Sequence, residues 1–352
     1  MPCILLPISK SIANRLLILQ AIHGDELMPV SDSMPDDVLL LHRALTTLRT
    51  FKTSKTLSTP HIDVGNCGTA MRFLTAYCAQ LEGQTTILDG VKRMHHRPIG
   101  QLVDALREIG ADIEYLGEEG FPPLRIKGCI LDKHRIVTIN NPQSTQFVSA
   151  LLLISANVQT DSTSPYITLT RALIEQYALA SSPNRLSPLL LERDWSSAAF
   201  WYEFVALHGG EITLPGLSCD SLQGDKVVAD IFSHLGVQTQ YTTEGVVISS
   251  SPLRPTHYPL HQDFASCPDL YPAVALTCEL LGIELYATGI ESLPLKESDR
   301  LRAVREHRTD HDHRMAMALL IAGYEVDDTA CISKSYPKFL DHFRRISTLK
   351  LQ

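Results

Sequence analysis

One pattern recurs along the sequence: a short polar or small-residue cluster is followed directly by an apolar run with helical spacing. It occurs six times, at intervals that average roughly sixty residues, the size of one small α/β unit. The clusters begin at Ser9, Gly68, Ser144, Ser196, Pro268 and Asp312. Ser, Thr and Asp suit a helix N-terminus because their side chains accept hydrogen bonds from its free backbone amides. The pattern therefore predicts six helices that begin at such clusters.

A second element, a helix followed by a glycine and two extended segments, lies between some of the clusters. Residues 102–128 match residues 228–251 in this way, with Gly110 opposite Gly236. The extended segments ADIEY and VQTQY alternate in polarity, which is typical of strands with one covered face. Six helix-plus-sheet units in two sets of three predict two similar α/β domains. The alternative is an α/β chain without true repeats, since helices commonly follow polar caps.

Length and charge limit the class of protein. A chain of 352 residues is long enough for two domains, and 31 basic against 39 acidic residues give a net charge of −8. We expect such a protein to repel nucleic acid and anionic membranes. Because no run of about 18 apolar residues occurs, we expect no membrane span. Any anion that the protein binds must be held by a local group of cations.

The cysteines and histidines predict neither disulfides nor a metal site. The eight cysteines form no C-x-x-C pair, and the 14 histidines are dispersed without zinc-ligand spacing. The apolar run at the amino end is short and is interrupted by Lys10, which does not suit a signal peptide. We therefore expect reduced thiols and a cytoplasmic location.

Basic side chains occur at or near several of the predicted helix starts. They are Lys10, Arg15, Arg72, Arg97, Arg300, Arg314 and Lys334. Helix N-termini attract anions, and Arg offers two parallel donors to a carboxylate or phosphate. On an acidic protein this placement predicts a pocket for a small substrate that carries several negative charges. For any single cation the alternative is a solvated surface residue.

Three carboxylates accompany these cations. Asp37 and Asp269 lie at predicted helix starts, and Glu297 lies between Lys296 and Arg300. Each can be an N-cap or an ion-pair partner, or it can transfer a proton if it is held among cations. Spacing alone does not choose between these roles.

Six strings together resemble the EPSP synthases (3-phosphoshikimate 1-carboxyvinyltransferases), and they occur in the order found in that family. They are SKSIANR at 9–15, GNCGTAMR at 65–72, RPIG at 97–100, LQGD at 222–225, KESDR at 296–300 and DHRMAM at 312–317. The resemblance implies an α/β (α+β) fold of two similar domains. Each contains three βαβαββ repeats in an inside-out α/β barrel.

For this chain the resemblance implies an N-terminal domain at 10–192 and a C-terminal domain formed by 1–9 with 193–352. It places a hinge near residues 7–10 and 192–194, where the chain crosses twice. In the family, shikimate 3-phosphate binds first and phosphoenolpyruvate second, and domain closure assembles the site. The partners implied are these small molecules, with no cofactor, no metal and a monomeric protein.

Residue by residue, the resemblance implies two binding sets. Shikimate 3-phosphate would contact Lys10, Ser11, Arg15, Ser144, Thr145, Gln146, Tyr166, Asp269 and Lys296. Phosphoenolpyruvate would contact Lys10, Gly68, Arg97, Gln146, Arg300, Arg314 and Lys334. Supporting positions would be Asp37, Asn66, Thr69 and His313.

The resemblance also implies addition followed by elimination. The 5-hydroxyl of shikimate 3-phosphate loses a proton as it attacks C2 of phosphoenolpyruvate, while C3 gains a proton. Loss of a methyl proton from the tetrahedral intermediate then expels phosphate. The expected proton-transfer residues are Asp269 near the hydroxyl and Glu297 near the methyl group, with Lys10 able to share either task.

Length separates this chain from the family. Eleven residues lie between Arg300 and Asp312, where the family has several dozen, and a second shortening is expected at 48–61. Either these are true deletions or residues are missing from the sequence. A true deletion favours an alternative, a non-catalytic or impaired remnant that binds shikimate 3-phosphate. UDP-N-acetylglucosamine enolpyruvyl transferase is disfavoured because that family has a different amino-terminal string and a reactive loop cysteine.

Overall fold

The computed structural model describes residues 2–54, 59–180, 192–251 and 258–350. The chain divides into two compact units: unit 1 contains Met1–Lys10, Ser31–Asp36 and Leu191–Gln352, and unit 2 contains Ser11–Val30 and Asp37–Leu190. None of the helices in the described part of the chain combines the length and hydropathy that a membrane span requires.

The first half of the chain alternates helices and short strands. Its helices are α1 (Lys10–His23), α2 (Asp36–Ser54), α3 (Gly68–Ala79), α4 (Gly100–Glu108), α5 (Thr145–Leu153) and α6 (Pro165–Leu179). Its strands are β1 (His61–Asp63), β2 (Thr85–Asp89), β3 (Asp112–Tyr115), β4 (Leu124–Lys127), β5 (Ile136–Thr138) and β6 (Asn157–Gln159). A 3₁₀ helix covers Met94–His96.

One complete βαβαββ unit runs from β1 to β4. Its sheet has the order β1-β2-β4-β3, in which β1 is parallel to β2 and β4 is antiparallel to both β2 and β3. The register pairs His61 with Ile87, Thr85 with Lys127 and Asp112 with Lys127. A separate pair, β5 and β6, is parallel, with Ile136 opposite Asn157.

The second half of the chain contributes the remaining elements. Its helices are α7 (Trp195–His208), α8 (Val228–His234), α9 (Tyr271–Leu281), α10 (Arg300–Glu306), α11 (His313–Ala322) and α12 (Phe339–Lys350). Its strands are β7 (Glu211–Pro215), β8 (Val237–Tyr241), β9 (Gly245–Ser250), β10 (Leu260–Asp263) and β11 (Leu285–Thr288). Four 3₁₀ helices cover Gly224–Val227, Pro268–Leu270, Leu293–Leu295 and Ala330–Lys334.

The sheet of β7, β8 and β9, in unit 1, repeats the pattern of the βαβαββ unit that runs from β1 to β4 in unit 2. Its order is β7-β9-β8 with antiparallel neighbours, as β2-β4-β3 has in unit 2. The amino-terminal segment bridges β7 in parallel at Cys3 and Thr213, the place that β1 takes beside β2. Gly110 and Gly236 both have positive φ, at +100° and +86°, where each helix turns into its strand. The predicted match between residues 102–128 and 228–251 is confirmed.

The pair of strands β10 and β11 in unit 1 has no hairpin beside it in the described residues. Strands β10 and β11 are parallel, with Leu260 opposite Leu285, and form a two-stranded sheet. Helix α10 ends at Glu306, and residues 307–312 lead directly into α11. Three of these residues, His307, Asp310 and His311, have positive φ, which lets the chain reverse within a short connection.

Three of the predicted helix starts need correction. The cluster at Pro268 forms a 3₁₀ turn, Pro268–Leu270, and α9 begins only at Tyr271. The sequence pattern placed caps at Gly68 and at Ser196, but Cys67 is the N-cap of α3 and Asp194 is the N-cap of α7. The Asp194 carboxylate accepts from the backbone N of Ser197 at 3.1 Å and from its hydroxyl. Because a carboxylate can accept both bonds, it caps the helix and leaves Ser196 inside the first turn.

Candidate active site

Three buried helices of unit 1, α7, α9 and α11, pack against one another. Most of their residues are apolar and buried, as expected for helices that lie largely inside a core. Asp269 lies in the 3₁₀ turn that leads into α9, and Arg314 lies in the first turn of α11. Nη2 of Arg314 lies 2.7 Å from Oδ2 of Asp269, so the starts of these two helices meet. Their positive dipole ends therefore lie close together.

Arg300 is the centre of the ion-pair network in unit 1. Its side chain is 1% exposed, and each of its nitrogens faces a different carboxylate. Nε lies 2.8 Å from Asp312, Nη1 lies 2.7 Å from Asp269 and Nη2 lies 3.1 Å from Glu297. Burial disfavours the charge, but the three carboxylates raise the pKa of Arg300, so the guanidinium stays protonated.

Asp269 is held as an anion. Burial acts to raise its pKa, but Arg314, Lys296 and Arg300 together hold it well below its usual value. The Nζ atom of Lys296 lies 3.6 Å from Oδ1. The carboxylate is 20% exposed and therefore accessible from one side, although both of its oxygens are paired.

Glu297 lies in the segment before α10 and pairs with two cations. Its Oε1 accepts from Nζ of Lys334 at 3.1 Å, and its Oε2 accepts from Arg300. The side chain is 10% exposed. The next residue, Ser298, donates to Asp312 at 3.2 Å, which fixes the segment against the start of α11. Asp269 and Glu297 therefore form one connected cluster with Lys296, Arg300, Arg314 and Lys334.

Two further buried acids, Asp194 and Asp225, extend this cluster. Asp225 accepts from the Ser196 hydroxyl, and burial together with the nearby charge of Asp269 raises its pKa to about 7. Burial also raises the pKa of Asp194, although Arg314 and Lys10 oppose the shift. Neither acid was predicted from the sequence as a site residue. The string 222–225 contains Asp225 and was the available signal.

His313 is 1% exposed and lies beside Arg314 in the first turn of α11. Burial, followed by the charges of Lys10 and Arg314, lowers its pKa well below the usual value. The ring is therefore neutral. Asp312 caps the helix by accepting from the backbone N of Arg314 at 2.9 Å, so one carboxylate orients both Arg300 and α11.

In unit 2, Arg15 is buried in α1 and is 3% exposed. Nε donates to Thr170 Oγ1 at 2.7 Å, Nη1 donates to the carbonyl of Ser11 at 2.8 Å, and Nη2 donates to Ser149 at 3.2 Å and to the carbonyl of Tyr166 at 3.3 Å. Burial lowers its pKa to about 10, so the charge is retained at neutral pH. The sequence did not indicate Ser149 or Thr170.

A second group in unit 2 surrounds Gly68, the first residue of α3. A Cβ atom at this position would lie 2.5 Å from Nη1 of Arg72 and 2.6 Å from Nη2 of Arg97. Arg97 donates to the carbonyl of Asn66 at 3.1 Å, and Arg72 donates to the carbonyl of Pro98 at 3.0 Å. Two guanidinium groups therefore lie against the backbone at a helix start, a suitable place for an anion.

The remaining predicted residues of unit 2 lie at the starts of α2, α5 and α6. Gln146 donates to Thr69 at 2.9 Å, which connects α5 to α3. Ser144 is the N-cap of α5, with Thr145 as its first residue. Asp37 is buried in the first turn of α2, and Tyr166 lies in the first turn of α6.

The family model described as EPSP synthase (3-phosphoshikimate 1-carboxyvinyltransferase) matches residues 3–307 and 304–343. The 3-phosphoshikimate 1-carboxyvinyltransferase of Bacteroides fragilis is 35% identical over 398 aligned positions, covering 97% of this chain and 94% of that protein. The protein of the same name from Cellvibrio japonicus is 32% identical over 412 positions, covering 97% and 96%.

A solved structure of an EPSP synthase from Acinetobacter baumannii has the same fold. It superposes with a TM-score of 0.67 at 18% identity and covers 97% of this chain and 95% of that chain. The fold class expected from the sequence, two domains of the inside-out α/β type, is confirmed by this likeness.

Proposed function

We propose roles for the residues of this site from one premise: the chain belongs to the EPSP synthase family. It is an enzyme of the shikimate pathway, which leads to the aromatic amino acids. It transfers the enolpyruvyl group of phosphoenolpyruvate to the 5-hydroxyl of shikimate 3-phosphate and releases phosphate. This agrees with the function expected from the six sequence strings.

The roles in unit 1 rest on one observation, the pairing of Asp269 and Glu297 with Arg300, Arg314 and Lys334. We assign these three cations to phosphoenolpyruvate, whose carboxylate and phosphate match the guanidinium geometry. Lys10 serves both substrates. His313 is neutral and supports the first turn of α11 beside Arg314.

The same pairing explains how the carboxylates become useful bases. While they hold the cations, the pKa of Asp269 stays well below its usual value and the group is a weak base. An incoming dianion competes for Arg300, Arg314 and Lys334, and it adds negative charge beside the carboxylates. Both changes raise the pKa of Asp269 and favour proton acceptance. Substrate binding therefore prepares the base for its reaction.

In the addition step, Asp269 accepts the proton of the 5-hydroxyl while the hydroxyl oxygen attacks C2. Glu297, which takes up a proton when the incoming dianion draws Arg300 and Lys334 away from it, delivers that proton to C3. In the elimination step, Glu297 removes a proton from the methyl group, the double bond reforms and phosphate leaves. Lys10 assists either transfer. The cations stabilise the charge on the leaving phosphate in both steps because they are fixed before the reaction.

In unit 2 we assign Ser11, Arg15, Ser144, Thr145, Gln146 and Tyr166, together with Lys10, Asp269 and Lys296 of unit 1, to shikimate 3-phosphate. Gly68, Arg97 and Gln146 complete the phosphoenolpyruvate set, supported by Asn66, Thr69 and Asp37. The two guanidinium groups beside Gly68 support this assignment, since they lie where a helix begins.

We also propose the organisation that the sequence predicted: domains at 10–192 and at 1–9 with 193–352, each of three repeats, in a monomer that works in the cytoplasm. Relative to the family, the given sequence lacks residues between Arg300 and Asp312, whether they are deleted from the protein or missing from the sequence, and two observations support this gap. The family model matches in two parts that join at 304–307, and the alignments contain more positions than the 352 residues of this chain.

A phosphate-release assay with both substrates, beside an intact-mass measurement, tests these proposals. We expect turnover from a protein of 39.0 kDa. The same mass without turnover would favour the non-catalytic remnant. A heavier active protein would show that residues are missing from the sequence at the short junctions. Release with UDP-N-acetylglucosamine in place of shikimate 3-phosphate would favour the other transferase.

A further inference from the structure

The string LQGD at 222–225 has no role in the reaction described above, although its glutamine is almost fully buried. Gln223 is 6% exposed and precedes the 3₁₀ helix Gly224–Val227. Its side-chain oxygen accepts from the hydroxyl of Ser9 at 2.8 Å and from the backbone N of Trp195 at 3.2 Å. Its amide nitrogen donates to the carbonyl of Arg193 at 2.8 Å.

These three bonds connect two segments of unit 1 that are far apart in sequence. The segments already pair through a bridge between Ile8 and Arg193. The backbone N of Ser9 also donates to the carbonyl of Glu192 at 2.8 Å, and that of Asp194 donates to the carbonyl of Pro7 at 3.0 Å. Gln223 lies against this short ladder and bonds to both of its segments.

A second set of contacts fixes Gln223 itself. Its backbone N donates to the Ser221 hydroxyl at 3.1 Å, and Ser221 in turn donates to Glu192 at 2.8 Å. Glu192 also accepts from Nε1 of Trp195 at 2.9 Å. These contacts hold the backbone of Gln223, and the three bonds described above hold its side chain. The carboxamide therefore cannot rotate without breaking buried hydrogen bonds.

The two segments lead into residues of the proposed site. Lys10 comes directly after Ser9 and begins α1, and Asp194 caps α7. Lys10 is close enough to Asp194 and His313 to shift the pKa of both. Because Ser9 is 1% exposed and bonded through its hydroxyl, the position of Lys10 depends on what Ser9 contacts.

We propose that Gln223 is a positioning residue for Lys10: its carboxamide holds Ser9 and the 193–195 segment in one register and thereby fixes the Lys10 side chain for the phosphorylated substrates. This inference rests on the role assigned to Lys10 above. A carboxamide suits this position because its oxygen accepts two hydrogen bonds while its nitrogen donates one to a carbonyl.

The test uses Gln223→Met, which keeps length and removes the hydrogen bonds. Binding of shikimate 3-phosphate is measured by titration calorimetry, turnover by phosphate release and folding by thermal unfolding. We expect about tenfold weaker binding and about tenfold lower kcat, the effect of one lost interaction of ordinary strength. The matched control is Gln262→Met, since Gln262 also donates to a carbonyl, at 2.7 Å, but on β10. It should change neither value by more than about twofold.

A double-mutant cycle separates positioning from general damage to the fold. Lys10→Met alone should impair binding, and adding Gln223→Met to it should cost no more than about a further twofold. Fully multiplicative effects, or a Gln223→Met protein with normal binding and turnover, would overturn the positioning role. A Lys10→Met protein that binds and reacts normally would instead refute the role of Lys10, and the inference with it.

If Gln223→Met does not fold, Ser9 provides the same test. Ser9→Ala removes the hydroxyl that Gln223 accepts from, and Ser9→Thr retains one. We expect Ser9→Ala to weaken shikimate 3-phosphate binding and Ser9→Thr to recover most of the loss, with similar unfolding temperatures. Normal binding by Ser9→Ala would reject the proposal.

Discussion

Nη2 of Arg314 lies 2.7 Å from Oδ2 of Asp269, and it joins the start of α11 to the start of α9. The other oxygen of this carboxylate is bonded to Arg300. An acid that is ionised and paired with two arginines has a low pKa, and it gains basicity only when another anion takes those arginines. The pair therefore connects substrate binding to proton transfer.

Replacing the proton-transfer residues with neutral analogues should abolish most turnover. We expect Asp269→Asn and Glu297→Gln each to lower kcat by about 10²–10⁴-fold, because general acid–base steps depend on these groups. Shikimate 3-phosphate should still bind, as calorimetry would show. Asp220→Asn, at an exposed position of the same unit, is the control. A variant with near-normal kcat would remove its residue from the mechanism.

A methyl group at Gly68 should weaken phosphoenolpyruvate binding. The new Cβ would lie within 2.6 Å of Arg72 and Arg97, so the ends of both guanidinium groups must shift. Because side-chain ends move easily, we expect Gly68→Ala to fold normally and to raise KM for phosphoenolpyruvate about tenfold, the effect of one weakened interaction. Steady-state kinetics with each substrate varied in turn measure this. An equal rise in KM for shikimate 3-phosphate would contradict the assignment of Gly68.

Arg15→Lys should behave as a severe change despite the retained charge. A lysine cannot bond to Thr170, Ser149 and two carbonyls at once, because it lacks the planar donor set. We expect at least about tenfold weaker binding of shikimate 3-phosphate by calorimetry. The control, Arg171→Lys, changes an exposed arginine of α6 and should bind normally. Binding by Arg15→Lys within twofold of the parent protein would show that the fixed geometry is dispensable.

Glu203, in the middle of α7, should reduce stability at neutral pH. It is fully buried, and neither of its oxygens has a hydrogen-bond partner among the described residues. Burial raises its pKa well above the usual value. The folded state therefore keeps a proton that the unfolded state loses above about pH 4.3. Stability from this group is present below that pH and falls as the pH rises towards the folded pKa.

We accordingly expect Glu203→Leu to raise the free energy of unfolding at pH 7 by about 1–3 kcal/mol, because the substitution removes an unsatisfied buried group. This increase in the free energy of unfolding should be smaller at pH 4, and thermal unfolding of both proteins at pH 7 and at pH 4 measures it. Glu211→Leu on β7, an exposed position, is the control. A lower unfolding temperature for Glu203→Leu at pH 7 would show that the carboxyl has a stabilising partner.

Much of the fold could be predicted because it depends on local hydrogen bonds. Ser144 and Asp312 cap the helices whose starts the sequence marked, and Gly110 and Gly236 turn corresponding helices into strands. Asp194 was missed as a cap because Ser196 and Ser197 offered an equally plausible start. The choice between them depends on which side chain reaches the free amide, which spacing does not specify.

By itself, the sequence determined the repeat, the caps and the residue types of an anion site, since each follows from neighbours a few positions apart. The tertiary structure alone decided which groups meet. Burial and the nearby charge of Asp269 raise the pKa of Asp225 to about 7, Arg15 bonds to Thr170 across 155 positions, and Gln223 bonds to Ser9 across 214. Such pairs depend on how buried helices and turns pack, and a charge in a buried site takes its properties from partners that are distant in sequence.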